Sequence, residues 1–228
     1  MSRPDWQKLG FLTPDAFTAQ RELWALHARL SRPSAEVFAA LAERSAEPSW
    51  SASLLDAAER QTRLAETLLD EAGSDARVAC DDDSLLAEVL SVCDEVLASG
   101  HVPSLLVTGA GPLGAYPRVV FELLGEVAGE HAGALCRRVL EHDDHALLAR
   151  LFGMSPPSPA DQDALRRLLR HLHGKLAEVY GARRQELHCL GVDGEVFAER
   201  ALESVQATHH ALGLKCTRAD LASGRPPG

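Results

Sequence analysis

Histidine is the residue type whose spacing most clearly suggests chemistry in this chain. Eight of the ten histidines lie between His131 and His210. A neutral imidazole can act as a metal ligand or as a general base near physiological pH. At about 100° per residue, a continuous helix over 118–152 would carry His131, His142 and His145 on one side. These three side chains are therefore the first candidates for a functional site.

The side of the predicted helix that carries the histidines is otherwise apolar, apart from Arg138. Its apolar members are Val120, Leu124, Val127 and Leu135. Burying a polar side chain costs free energy, so polar groups on an apolar face indicate a partner or a function. We predict a pocket whose catalytic residues are His131, His142 and His145, with Arg138 binding an anionic group of a small-molecule substrate.

The last predicted helix, from Glu195 to about Leu212, could supply further ligands. Its polar residues form one stripe: Glu199, Glu203, Gln206 and His210. Carboxylates and imidazoles that converge from separate helices are typical of iron sites inside helical bundles. The predicted metal ligands are His131, His142, His145, Glu203 and His210. The Glu-x-x-His spacing of ferritin-like di-iron sites does not occur in the chain.

Two other interpretations use the same histidines. They can be buried structural residues that are hydrogen-bonded to helix carbonyls or acids, or they can do acid–base chemistry without a metal. Three glycines on the same predicted helix, Gly125, Gly129 and Gly133, follow a four-residue spacing. Each costs roughly 1 kcal/mol in a helix interior, which indicates a close approach to the backbone. Either another helix or a flat cofactor could make that approach.

The elements that must position these residues are predicted to be helices. Ala, Leu, Glu and Arg dominate the composition, and aromatic residues make up only 5% of it. Seven helices are predicted. The first runs from Thr13 to about Leu30, and a break at residues 31–34, around Pro33, separates it from a short helix to about Glu47. The others run from Ser51 or Ser53 to Gly73, from Asp83 to Gly100, over 118–152, from Asp161 to about Leu190, and from Glu195 to about Leu212. The predicted fold is an all-α bundle of about six to seven helices.

The domain organisation follows from the same pattern. Residues 1–50 are predicted to be a helical segment that packs on the bundle, residues 51–215 the core of the bundle, and residues 216–228 a frayed tail.

The formal net charge is −10. The Lys and Arg residues are spread along the chain and form no basic cluster. This distribution and the negative net charge disfavour nucleic acid and anionic membranes as partners. The five cysteines form no CxxC pair, and the N-terminus lacks a signal peptide's apolar core, so we expect a cytoplasmic protein with reduced thiols.

Two short segments resemble heme-oxygenase-like proteins. Residues 21–27, Arg-Glu-Leu-Trp-Ala-Leu-His, resemble the first helix of that superfamily, which carries an iron-ligating histidine. Residues 106–114, Leu-Val-Thr-Gly-Ala-Gly-Pro-Leu-Gly, resemble a glycine-rich segment of the bacterial enzymes. Together they cover under a fifth of the chain. The resemblance implies a helical fold, a heme, His27 as a possible axial ligand, and a glycine-bearing helix over the cofactor, here with Gly125, Gly129 and Gly133.

Residues 109–114, Gly-Ala-Gly-Pro-Leu-Gly, also match the glycine pattern G-x-G-x-x-G. After a strand and before a helix, this pattern binds the phosphates of a dinucleotide. The apolar run Ser104 to Val107 precedes it, but the chain offers too few further strands for a parallel sheet. A Gly/Pro-rich connection between helices is the alternative.

The function that these features favour is a small-molecule enzyme, specifically an iron- or heme-dependent oxidoreductase or oxygenase. A non-enzymatic helical module that binds a ligand or a protein, and that forms a homodimer, is the first alternative. Nucleotide or S-adenosylmethionine binding at the Gly109–Gly114 loop is the second.

Overall fold

The computed structural model describes residues 14–81, 83–127, 130–142, 144–154 and 157–214. Within these ranges the chain forms ten helical segments and no strand. They are α1 (Pro14–Arg44), α2 (Pro48–Asp81), α3 (Ser84–Ser99), α4 (Val102–Ala110), α5 (Pro112–Val127), α6 (Glu130–Leu140), α7 (Asp144–Met154), α8 (Pro159–Ala182), α9 (Arg184–Cys189) and α10 (Gly194–Ala211). The predicted all-α fold class is confirmed. The predicted frayed tail, residues 216–228, lies outside the described residues.

Local sequence determines several helix ends. The carboxylate of Asp83 accepts hydrogen bonds from the backbone N–H of Leu85 and Leu86, and so caps α3. Gly100 ends α3 in the left-handed conformation, with φ 61°. Asp193 caps α10 in the same way as Asp83 caps α3. These boundaries agree with those predicted from the sequence.

The two long N-terminal helices depart from the predicted boundaries. Helix α1 continues through Pro33, where a break was expected, up to Arg44. Proline removes one intrahelical hydrogen bond, but α1 is packed on several sides by other helices, and this packing outweighs the local loss. In α2 the backbone leaves the helical region at Gly73, where φ is 76°. The predicted end at Gly73 is therefore a kink between two helical stretches.

The predicted continuous helix over 118–152 is wrong. The chain forms α5, α6 and α7 in this region instead. A Cβ atom on Gly125 would lie 3.6 Å from Cβ of Cys136. Residues eleven positions apart in one straight helix would be separated by about 16 Å, so α6 folds back on α5. Leu124 of α5 and Leu135 of α6 are both buried in one core cluster.

Two clusters of buried residues form the core, and α1 contributes to both. The larger cluster includes Leu26, Val120, Leu172, Tyr180 and Val205, from α1, α5, α8 and α10. The smaller cluster includes Phe38, Leu54, Val107, Leu148 and Leu169, from α1, α2, α4, α7 and α8. Helix α1 thus runs through the centre of the molecule. No helix among the described residues has the length and apolar character needed to span a membrane.

Candidate functional site

A small pocket lies where α1, α2 and α5 meet the connection between α6 and α7. Its volume is about 50 Å³. Its polar lining residues are Ser31, Ser34, Gln61, Arg118, His142 and His145. Leucines, Phe121 and other apolar side chains complete the wall. Two of the three candidate histidines, His142 and His145, therefore line one pocket, although they do not share a helix with His131.

His145, in the first turn of α7, is held in a defined tautomer. Its Nδ1 lies 2.7 Å from the carbonyl oxygen of Gly109. A carbonyl oxygen can only accept a hydrogen bond, so Nδ1 is the donor. In the neutral ring the other nitrogen, Nε2, then carries the lone pair and is the basic atom.

The orientation of the His145 ring is determined by its packing. A Cβ atom on Gly114 would lie 2.6 Å from Cγ of His145, so the ring rests directly on the backbone of α5. The ring of Phe38 lies on another side, with 5.8 Å between the ring centroids. Contacts from α1, α4 and α5 therefore fix where Nε2 points.

The start of α7 is anchored by a partly buried ion pair. Asp144 is 6% exposed, and its Oδ1 accepts hydrogen bonds from Nη2 of Arg60 at 2.6 Å and from Nε at 3.0 Å. Gln61 donates from Nε2 to the other carboxylate oxygen, at 3.3 Å. The hydrogen bond to Asp144 raises the pKa of Arg60 above its ordinary value. This network places Gln61 and His145 beside the same pocket.

The mouth of the pocket carries the groups that can bear charge. His142 is exposed there, and Arg118 is half exposed, with Nε 2.9 Å from Oε1 of Glu122. Arg138 is exposed on α6 and does not line this pocket. The inward orientation expected of Arg138 is wrong, because it was derived from a helix that is interrupted before residue 138. Arg118 is the arginine that the fold brings to the histidines.

Several predicted site residues cannot be placed in this pocket. The side chain of His131 and the whole of Gly129 lie outside the described residues. Gly125 faces Cys136, so a neighbouring helix makes the close approach there. Gly133 is buried in α6. The common stripe expected for the three glycines is wrong, because α5 ends at Val127.

The predicted stripe on α10 faces solvent. Glu203 and His210 are both exposed, so the expected convergence of these two residues with the other histidines is not found. The buried histidine of α10 is His209, 1% exposed. It follows Phe197, Ala201 and Val205 at four-residue intervals, and this apolar spacing in the sequence could have identified it.

The described residues do not fit an iron site. The lining of the pocket contains two imidazoles and no carboxylate. Non-heme iron usually takes two histidines and a carboxylate from the protein. No group of three or more His, Cys, Asp or Glu side chains that could hold a metal occurs in the described part of the chain.

His27, the possible axial ligand, lies in an aromatic part of the core. This residue is fully buried, and aromatic rings occupy two sides of its imidazole: the centroid of Phe121 is 4.8 Å away and that of Tyr180 is 5.8 Å away. Nδ1 of His27 lies 3.4 Å from the hydroxyl oxygen of Tyr180. Burial lowers the pKa of His27 to about 3, and Arg183 adds to the shift. The imidazole of His27 is therefore packed among aromatic side chains in the core.

A buried cluster of tyrosine and histidine was missed in the sequence. The hydroxyl of Tyr116 lies 2.9 Å from Nδ1 of His173, and the ring of Tyr116 stacks on Tyr180 with 5.3 Å between centroids. Burial lowers the pKa of His173 and raises that of Tyr116. His173 and Tyr180 are both on α8, and their spacing places them near each other, but Tyr116 comes from α5, so its position beside them has no signal in local spacing.

The glycine pattern at 109–114 is part of the core. Residues 102–110 form helix α4 and not a strand, and α5 begins at Pro112. Gly109 and Gly111 are buried, and an added Cβ would lie 2.5 Å from Leu148 and 2.7 Å from Leu169, respectively. These glycines therefore allow close helix packing. The strand expected before a phosphate-binding turn is absent from this described segment.

Neither the models of known protein families nor the sequences of curated proteins match this chain.

Proposed function

We propose that this protein is a small-molecule enzyme that removes a proton from carbon next to a carbonyl group, in the pocket lined by His142 and His145. The observation that carries the proposal is the hydrogen bond from Nδ1 of His145 to the Gly109 carbonyl. A general base needs one nitrogen fixed as the basic atom and a ring held in one orientation. The Gly109 carbonyl supplies the first requirement, and packing on Gly114 supplies the second.

The other lining residues support the same chemistry. Ser31, 7% exposed, and Gln61 carry hydrogen-bond donors and line the same pocket as His145. Because one N–H of the Gln61 amide donates to Asp144, its orientation is fixed and its second N–H is a further donor. Donors of this kind stabilise the negative charge that develops on a carbonyl oxygen during enolisation.

The proposed step is a reversible proton transfer. Nε2 of His145 accepts the proton as the C–H bond breaks, and the electron pair moves onto the carbonyl oxygen to give an enolate. The protonated ring then returns the proton to carbon. The pocket, at about 50 Å³, has room for a few water molecules, each of which needs about 10–15 Å³ on this measure, so it holds a carbonyl or carboxyl group of the substrate and not a large cofactor.

The test measures exchange of the carbon-bound proton for deuterium. A panel of small 2-oxo acids, ketones and aldehydes is incubated with the protein in D₂O and followed by NMR. The critical variant is His145→Asn, whose amide N–H can still donate to the Gly109 carbonyl but which has no basic nitrogen. We expect exchange to fall by roughly 100-fold or more, since general bases contribute factors of that order.

His171→Asn, at an exposed position of α8, is the matched control and should exchange at the wild-type rate. Melting temperatures establish that both variants fold. Equal exchange rates in His145→Asn and the wild type would contradict the proposal, as would a panel in which no compound exchanges.

The iron- or heme-dependent oxidoreductase, the homodimer and the cytoplasmic location that the sequence suggested stay predictions. The step described above is assigned to protein side chains alone, because the described lining residues do not provide a set of iron ligands.

A further inference from the structure

Helix α10 carries a buried histidine on its apolar side. His209 is 1% exposed, and neither nitrogen of its ring is hydrogen-bonded to any of the described residues. A buried polar atom without a partner costs free energy, and a buried charge costs more. The apolar interface under α10 therefore accommodates the neutral ring of His209, whereas a protonated ring would bring into it a charge and a second N–H donor.

The charged groups that act on His209 are both on α8. They are His173 and Arg170, and each opposes a positive charge on His209. Burial is the largest cause that lowers the pKa of His209, to about 4, and these two neighbours add to the shift. Burial also lowers the pKa of His173. Acid would therefore place positive charges on both helices at the contact between α8 and α10.

The acid side chains on the other helices packed against α10 have partners of their own. On α5 and α7 the ion pairs are Glu122 with Arg118, Glu126 with Arg200, and Asp144 with Arg60. Tyr116 of α5 is neutral, because burial raises its pKa, and its hydroxyl is bonded to His173. None of these groups therefore supplies a negative charge that would hold a protonated His209 in place.

The remaining acid side chains lie away from His209. Glu186 of α9 is beside Glu22 and Arg183. Helix α9 leads into the start of α10, about 22 Å along the axis from His209. The acids of α10 itself are exposed: Glu195, Glu199 and Glu203. Those of α8 are exposed, as Asp163 and Glu178 are, or bonded at the helix start, as Asp161 is to Ser158.

The small contribution of α10 to the core allows it to move separately. It supplies three apolar side chains to the larger core cluster, Phe197, Ala201 and Val205, whereas α8 contributes to both clusters. Within the described chain, α10 is joined to the other helices only through the turn at 190–193. Release of α10 therefore brings His209 into water and exposes less apolar surface than unfolding of the whole molecule.

We propose that α10 is an acid-sensitive element, which leaves α5 and α8 when His209 and His173 become protonated, while α1 and α8 stay folded. The release does not depend on the proton transfer proposed for His145, because neither His209 nor His173 lines that pocket.

Hydrogen–deuterium exchange followed by mass spectrometry, at pH 7 and at pH 4.5, tests this release. The quantity measured is the protection factor, which corrects each amide for its intrinsic exchange rate at that pH. With a pKa of about 4 in the docked helix and about 6.5 in the released one, His209 favours release roughly 60-fold more at pH 4.5 than at pH 7. We expect the protection of α10 to fall by at least that factor and to stay below that of α1 at both pH values.

His209→Leu should lose most of this fall, and His210→Leu, at the exposed neighbouring position, should behave as the wild type does. His209→Met replaces the first variant if His209→Leu does not fold at pH 7. Equal protection of α10 at the two pH values in the wild type would overturn the proposal. So would the same protection in α10 and α1 at pH 4.5, since α10 would then open only with the whole molecule, or a fall in the folded His209 variant as large as in the wild type.

Discussion

At the scale of single residues, the glycines of this chain differ sharply in what surrounds them. Gly114 lies against the His145 ring, whereas an added Cβ on Gly174, inside α8, would meet no atom within 4 Å. The first glycine is required by packing, and the second only lowers the helix propensity of α8.

Gly114→Ala should therefore lower the free energy of unfolding by about 1–3 kcal/mol, because the new methyl group forces the His145 ring to move. Gly174→Ala should raise it by up to about 1 kcal/mol. Urea unfolding monitored by circular dichroism measures both values. A loss of stability in Gly174→Ala, or none in Gly114→Ala, would show that the surroundings of these glycines differ from those described.

At the scale of helices, the placement of α7 depends on one ion pair with α2. Asp144 is nearly fully buried, while its partner Arg60 is more than a third exposed, so solvent weakens the attraction. Helix α2 also carries an exposed ion pair, in which Nη2 of Arg63 lies 2.7 Å from Oε1 of Glu59. Both side chains are 65% exposed.

A double-mutant cycle separates the two pairs. Using Arg60→Gln and Asp144→Asn, we expect a coupling energy of about 1–2 kcal/mol, after allowance for the exposure of Arg60. Arg63→Gln with Glu59→Gln should give less than about 0.5 kcal/mol, the value of an exposed pair one helical turn apart. Similar coupling energies for the two pairs would mean that Arg60 and Asp144 do not anchor α7.

At the scale of the whole molecule, the buried histidines make stability depend on pH. Burial lowers the pKa of His209 to about 4, and the nearby His173 and Arg170 add to the shift. The unfolded chain protonates this residue at its ordinary value near 6.5. The contribution of the neutral, buried His209 to the free energy of unfolding is therefore complete above about pH 6.5 and is lost progressively as the pH falls towards 4. At about 1.4 kcal/mol per pKa unit, the loss from His209 approaches about 3 kcal/mol at pH 4.

His209→Leu should remove this part of the pH dependence and leave the rest. Its free energy of unfolding, measured by urea titration from pH 7 to pH 4.5, should fall less steeply than that of the wild type. His210→Leu, at the exposed neighbouring position, should follow the wild-type curve. Parallel curves for all three proteins would contradict a buried, neutral His209.

The sequence by itself determined the elements whose signals are local. The Asp83 cap, the Gly100 end of α3 and the helical fold class depend on atoms a few residues apart, and each of these predictions was correct. The candidate site was only partly predictable. His142 and His145 were selected from the sequence, and they do line one pocket.

Tertiary structure decided what those residues face. The reversal between α5 and α6 brings Gly125 against Cys136, and this packing between two helices is not contained in helix periodicity. Because of that turn, Arg118 lines the pocket and Arg138, which was expected there, does not. The Gly109 carbonyl that orients His145 is 36 residues away in sequence. Such contacts arise from the packing of whole helices, so no local pattern of residues could specify them.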